Sequence, residues 1–399
     1  MQASCPSTEE TFLPSVRIRL LFVLPNLRGG GAERITLALL RELDHTRYAV
    51  SLLVLAGPGV LSDLVPPQVH LIYPPRILRK GLLPARLVTL LHAWRQDLIV
   101  AAMEMRATFC VDFAARVLAL PAVLWVHVAF GEWAKGLGRR QQRRSYHAYS
   151  GRHAVIFVSE GAQQSTAEWM GGTGKYWRSI PNLFSASSYR GTVPDSASAQ
   201  LRSTFAGRPL VIGIGRLEKR KGFDLLIDSA ALALRQGADF ELVLLGEGEQ
   251  RAALVQRAAV LGIADRVHLA GFVRDAFEWL QVASCYVLSS RLEGLPTTIL
   301  ESMAAGTPVV ATDCPSGPAE LLQGGRCGLL VPMNDPQRLS EAIVRLLGSD
   351  ELRLGLSEAG RRRIADFSPD AITVRWDRVF SEALSRRARA AQPDEGRDC

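Results

Sequence analysis

Residues 16–40 read VRIRLLFVLPNLRGGGAERITLALL. The apolar run Val16–Leu24 reads as a buried strand, Arg28-Gly29-Gly30-Gly31 as a turn, and Ala32–Leu43 as a helix. Strand, glycine turn and helix in that order open a βα unit. The pattern recurs in Val50–Leu55, Val69–Ile72, Leu98–Ala102, Val123–His127 and Val155–Val158, short apolar runs separated by helical or loop-like stretches. Alternation on this scale predicts a doubly wound parallel α/β sheet rather than a β-sandwich.

Periodicity then fades into LFSASSYRGTVPDSASAQLRSTFAGR, rich in Ser, Gly and Pro, which reads as a linker. Leu210–Gly215 (LVIGIG) restarts the alternation, and Glu241–Leu245, Val267–Leu269, Cys285–Leu288 and Val309–Ala311 supply further strands. Two Rossmann-like halves follow: a loose tail over 1–15, a first domain over 16–190, a linker over 191–208 and a second domain over 209–367. A helix over Ser368–Leu384 has a Ser cap and Pro in its first turn, and it is expected to pack back on the first domain. The Arg-rich end, 386–399, is expected to be disordered. A chain of 399 residues is long enough for two cores, and its 22% charged residues are ordinary for a globular protein.

The net charge of +8 is unevenly placed: residues 1–190 hold 22 Lys/Arg against 12 Asp/Glu, so the first half is the basic half. Its densest cluster is Arg139-Arg140-Gln141-Gln142-Arg143-Arg144, near Trp133 and Lys135. A basic face suits an anionic partner, such as a membrane surface, although a solvated helix face explains it equally well. Nucleic acid is disfavoured for want of aromatic stacking platforms or a reading motif. The six cysteines form no CxxC pair and no zinc spacing, so a reducing, cytoplasmic setting is expected. No signal peptide and no membrane-spanning run are expected.

Three stretches could carry chemistry. Gly29-Gly30-Gly31 opens a helix whose amides could meet an anion, but neither GxGxxG nor a Walker loop is present. Gly213–Leu226, GIGRLEKRKGFDLL, sets Arg216 and Lys221 on one loop ahead of a helix, where two cations could clamp a diphosphate. Lys219 and Arg220 beside them read as a solvated basic turn. Glu293–Glu301, EGLPTTILE, sets an acid at each end of a helix start with Pro296 in the first turn and no side-chain cap. By themselves these acids could equally be a dipole partner and a surface group.

In combination, SSRLEGLPTTILESMAAGTPVVATDCPSGPAELLQGGRCGLLVPMND, GRLEKRKGFDLLI and GGGAERITLALL resemble the retaining glycosyltransferases of family 4. The resemblance covers roughly residues 17–385 and implies the GT-B fold, with the two domains facing each other across a cleft. It implies that Arg216 and Lys221 hold a donor diphosphate, that Glu293 meets the donor sugar and that Glu301 binds the ribose. Gly294, Leu295 and Pro296 would line the phosphate and sugar pocket, with Gly30 and Gly31 closing over phosphate or acceptor. His127 matches the family's active-site histidine, while Gly246, Phe272 and Val273 would frame ribose and base. Ser159 and Asn182 match cleft positions of less certain role. No metal or other cofactor is implied, and no Asp-x-Asp triplet occurs.

The expected function is transfer of a sugar from a nucleotide-diphosphate sugar, UDP-sugar favoured over GDP-mannose, to a lipid-linked or envelope glycan. The enzyme would be cytoplasmic or peripheral on the inner face of the membrane. The alternatives are another GT-B activity (a nucleotide-sugar 2-epimerase or a sucrose- or glycogen-type synthase) and a non-catalytic nucleotide-sugar-binding protein.

Overall fold

The computed structural model describes residues 17–74, 83–185, 205, 207–273 and 275–391. The expected tail over 1–15 and most of the linker over 191–208 lie outside them, as do residues 392–399. The first domain contains β1 (Ile18–Leu24), β2 (Tyr48–Val54), β3 (His70–Ile72), β4 (Leu98–Ala101), β5 (Ala122–Val126), β6 (Ala154–Phe157) and β7 (Trp177–Ser179), in the sheet order β3-β2-β1-β4-β5-β6-β7. The second contains β8 (Leu210–Ile214), β9 (Glu241–Leu245), β10 (Val267–Gly271), β11 (Cys285–Leu288), β12 (Val309–Thr312) and β13 (Leu329–Val331), in the order β10-β9-β8-β11-β12-β13.

All strand pairings within both sheets are parallel. Helices cover both faces, so the central strands are continuously buried instead of alternating, as in all five residues of β5 and of β9. Each sheet reverses its winding next to its first strand, between β1 and β4 and between β8 and β11. At such a switch point the loops leaving the carboxyl ends diverge and open a crevice.

The last helix, Pro369–Ala391, continues past the expected end at Leu384. It crosses back to the first sheet, where Trp376 meets Trp125 edge-on at 4.7 Å and Phe380 meets Tyr48 at 5.7 Å. Among the described residues, Cys110, Cys285, Cys314 and Cys327 are buried free thiols. No helix among those residues is long and apolar enough to cross a membrane.

Candidate active site

The loop leaving β11, Ser289–Pro296, is the centre of the crevice. Glu293 within it is 5% exposed, and its Oε1 accepts from Lys221 Nζ at 2.6 Å and from Ser290 Oγ at 2.6 Å. Arg220 Nη1 stands 3.9 Å from the other carboxylate oxygen. Burial alone would raise the Glu293 carboxyl; the Lys221 and Arg220 charges, with the Lys221 and Ser290 hydrogen bonds, bring it below the ordinary glutamate value. Glu293 is therefore a carboxylate fixed in place by cations of a different loop.

Those cations leave β8. Gly246, at φ +149°, lets the end of β9 come so close that a Cβ there would fall 1.9 Å from the Gly215 carbonyl oxygen. Beyond Gly215, Arg216 is exposed and pairs with Glu218 at 2.9 Å. Arg220 donates to the Leu292 carbonyl at 3.2 Å, and Ser289 Oγ donates to the Lys221 carbonyl at 3.0 Å, which ties the two loops together. Arg216, Lys219, Arg220, Glu247 and Gly248 line an open cavity of about 450 Å³. Lys221 and Glu293 are not among the residues that line this cavity.

The first domain grips the same loop by its backbone. Val128 forms an antiparallel bridge with Gly294, and Ala129 N donates to the Glu293 carbonyl at 3.3 Å. Ser159 Oγ donates to the Gly294 carbonyl at 2.8 Å while capping the helix Glu160–Met170, and Asn182 Nδ2 donates to the Leu295 carbonyl at 3.2 Å. Gly294 has to be glycine for this approach, because a Cβ there would sit 1.9 Å from the His127 carbonyl oxygen. His127 Nε2 donates to the Ala102 carbonyl at 3.1 Å, and its ring packs against Trp125 with centroids 4.4 Å apart and planes tilted by 40°. Enclosure drives the imidazole pKa down to about 3, with the Ala102 bond opposing, so the ring is neutral.

The structure thus gathers Lys221, Glu293, Gly294 and the His127 strand end, with Ser159 and Asn182 beside them, but it alters several expectations. Arg220 is more than a solvated residue: while lining the cavity it is bonded into the Glu293 loop, and the sequence offered no sign of that because its neighbours are charged too. Pro296 precedes the helix Thr297–Ala305 in an extended conformation instead of lying in its first turn, although no side chain caps the helix. The Leu295 side chain is buried in the apolar core, so Leu295 meets the crevice through its carbonyl. The Gly29 and Gly30 amides are occupied by the Glu33 carboxylate at 2.7 and 2.8 Å, which leaves the turn less open to an anion than its glycines suggest.

Gly31 faces the other domain: a Cβ on it would approach Thr297 Oγ1 at 3.8 Å, at the start of the helix that carries half-buried Glu301. Phe272 is 55% exposed and lies beside Gly29 across the crevice, with half-buried Val273 following it. One buried acid went unnoticed in the sequence: Glu104, after β4, accepts from the His127 amide.

Comparison with known proteins gives this arrangement a family. Residues 29–185 match the family model described as Glycosyltransferase Family 4, and residues 208–349 match Glycosyl transferases group 1. The lipopolysaccharide core biosynthesis glycosyltransferase LpsE of Rhizobium meliloti is 39% identical over 43% of this chain and 49% of its own length. An exopolysaccharide phosphotransferase of Streptomyces coelicolor is 32% identical over 59% of this chain but only 24% of its own length. The chain therefore spans a quarter to a half of the length of these relatives. Among solved structures, HepE of Anabaena in complex with UDP-glucose superposes with a TM-score of 0.79 over 93% of this chain and 100% of that one, at 23% identity. With both family domains in sequence order on two facing parallel sheets, the chain belongs to the family 4 glycosyltransferases of GT-B fold.

Proposed function

We propose that the protein is a retaining glycosyltransferase that moves a sugar from a nucleotide-diphosphate sugar, UDP-sugar in preference to GDP-mannose, to a hydroxyl of a lipid-linked or envelope glycan. The observation that carries this reading is the Lys221–Glu293 pair at 2.6 Å beside an Arg-lined cavity at a switch point. HepE, of the same fold, is solved with UDP-glucose, and LpsE is named for lipopolysaccharide core assembly.

On this reading the diphosphate lies against Arg216 and Lys221, with the positive end of the Thr297–Ala305 helix, which no side chain caps, adding its dipole. Glu293 accepts from donor-sugar hydroxyls and Glu301 from the ribose diol. Neutral His127, whose Nε2–H donates to the Ala102 carbonyl, keeps Nδ1 as an acceptor for a sugar hydroxyl and brings no charge beside the developing oxocarbenium ion. The acceptor hydroxyl attacks on the face the leaving group departs from, and the leaving phosphate oxygen takes its proton; the side-chain cations, with no metal ion, offset the leaving group's charge. Gly30, Gly31 and Phe272 border the crevice from its two sides, where closure would exclude water.

The basic helix Arg139–Tyr149 supports contact with an anionic membrane surface, which would bring a cytoplasmic enzyme to a lipid-linked acceptor. Arg139, Arg143, Tyr146 and Trp169 surround a shallow cavity of about 350 Å³ there. A thermal-shift screen of nucleotide sugars, followed by assay of nucleotide release, tests the reading. Stabilisation by a UDP-sugar is expected; absence of any shift with UDP-sugars and GDP-sugars alike would remove it.

A further inference from the structure

Glu104 is 8% exposed, one of the few acids buried in the first domain. It stands in the loop after β4, on the first sheet's own switch point, facing the end of β5. Its carboxyl engages the backbone of His127 and Val128, and it lies within the field of Arg220 from the second domain. Two residues before it, the Ala102 carbonyl accepts from the His127 ring at 3.1 Å, so one loop fixes both the backbone and the side chain of His127. The segment held this way is the one that bridges the donor loop, Val128 to Gly294 and Ala129 to the Glu293 carbonyl. A carboxyl is the side chain suited to this task, because its oxygens accept from neighbouring amides that strand pairing leaves unmet.

We propose that Glu104 is a positioning residue: its carboxyl oxygens hold His127–Ala129 in the register that aligns His127 with the Glu293–Gly294 loop. This rests on the glycosyl-transfer reading for its catalytic consequence, but the positioning itself does not. What matters is the reach of the oxygen acceptor rather than the negative charge. Glu104→Gln keeps the reach and an accepting carbonyl and loses the charge, whereas Glu104→Asp keeps the charge and withdraws the oxygens by one methylene. Both substitutions are small enough to preserve the fold.

The test uses the full chain with UDP-glucose as probe, measuring UDP release, UDP affinity, and amide exchange at His127 and Val128. Glu104→Asp is expected to lose about 100-fold in UDP release, the scale of a misplaced reacting group, with UDP affinity within about 3-fold of wild type. Glu104→Gln is expected to stay within about 5-fold on both measures. Amide exchange at His127 and Val128 should quicken in Glu104→Asp alone. A Glu104→Gln variant as impaired as Glu104→Asp, or a Glu104→Asp variant like wild type, would overturn the proposal. A wild-type protein that neither binds UDP nor releases it would count against the transferase reading and not against Glu104. In that case unchanged amide exchange in Glu104→Asp would still overturn the positioning role, and quickened exchange confined to that variant would uphold it.

Discussion

Glu293 keeps its charge at 5% exposure only because Lys221, Ser290 and Arg220 surround it. Removing one partner from a buried pair leaves the other uncompensated, which costs about 3–5 kcal/mol. Lys221→Ala should therefore lower stability by an amount of that order in urea melts, whereas Lys219→Ala, exposed on the same loop, should change it by no more than about 0.5 kcal/mol. His127 gives a pH signature of opposite origin. Its pKa is depressed to about 3 in the fold against an ordinary 6.5, so the unfolded chain binds the extra proton. Stability is full above about pH 6.5 and falls through the window down to about pH 3. By linkage the loss approaches about 1.4 kcal/mol per pH unit within that window. Melting curves at pH 7 and pH 5 should thus diverge more for wild type than for His127→Gln; equal divergence would mean the ring is not held neutral. The residue types of this site were legible from EGLPTTILE and GRLEKRKG. Their mutual pairing was not, because the charged residues of GRLEKRKG compete for the same partners and only the fold selects Lys221 and Arg220.

At the scale of elements, the strands were readable wherever apolar runs were long, and the glycine turns marked where β1 and β8 end. The edge strand β7, Trp177–Ser179, escaped because charged, exposed Arg178 interrupts its apolar pattern, and β13, Leu329–Val331, escaped although it is no shorter than β3. The loop Glu293–Pro296 is shaped by contacts far away in sequence, which explains why the burial of the Leu295 side chain in the core was not legible. Gly294 is its most constrained point: a methyl group there must displace the His127–Val128 backbone. Gly294→Ala is expected to cost about 1–3 kcal/mol in stability and to lower turnover about 100-fold. Normal turnover in that variant would show that the two domains need not meet here. The C-terminal helix is the third support of the site, since Trp376 backs Trp125, which backs His127. Trp376→Ala should lower stability by about 3–5 kcal/mol in urea unfolding, and a change below 1 kcal/mol would make that contact incidental.

For the whole molecule, two parallel sheets with the same winding present their switch points to one crevice, and four residues of the first domain hold the Ser289–Pro296 loop of the second. The repeated βα alternation made this plan visible in the sequence, whereas the seam between domains was not, being made of backbone carbonyls that carry no residue signature. The net positive charge of the first half is the ground for proposing that the first domain faces an anionic membrane surface. Donor binding requires that the β8 and β11 loops form one anion-and-sugar site. Titration of UDP-glucose into wild type, Lys221→Ala and Glu301→Ala by calorimetry addresses this directly. Measurable binding to wild type is expected, weakened at least about 10-fold by either substitution, in line with loss of a charge-assisted contact worth about 1.5–3 kcal/mol. Binding of equal strength in all three would contradict it.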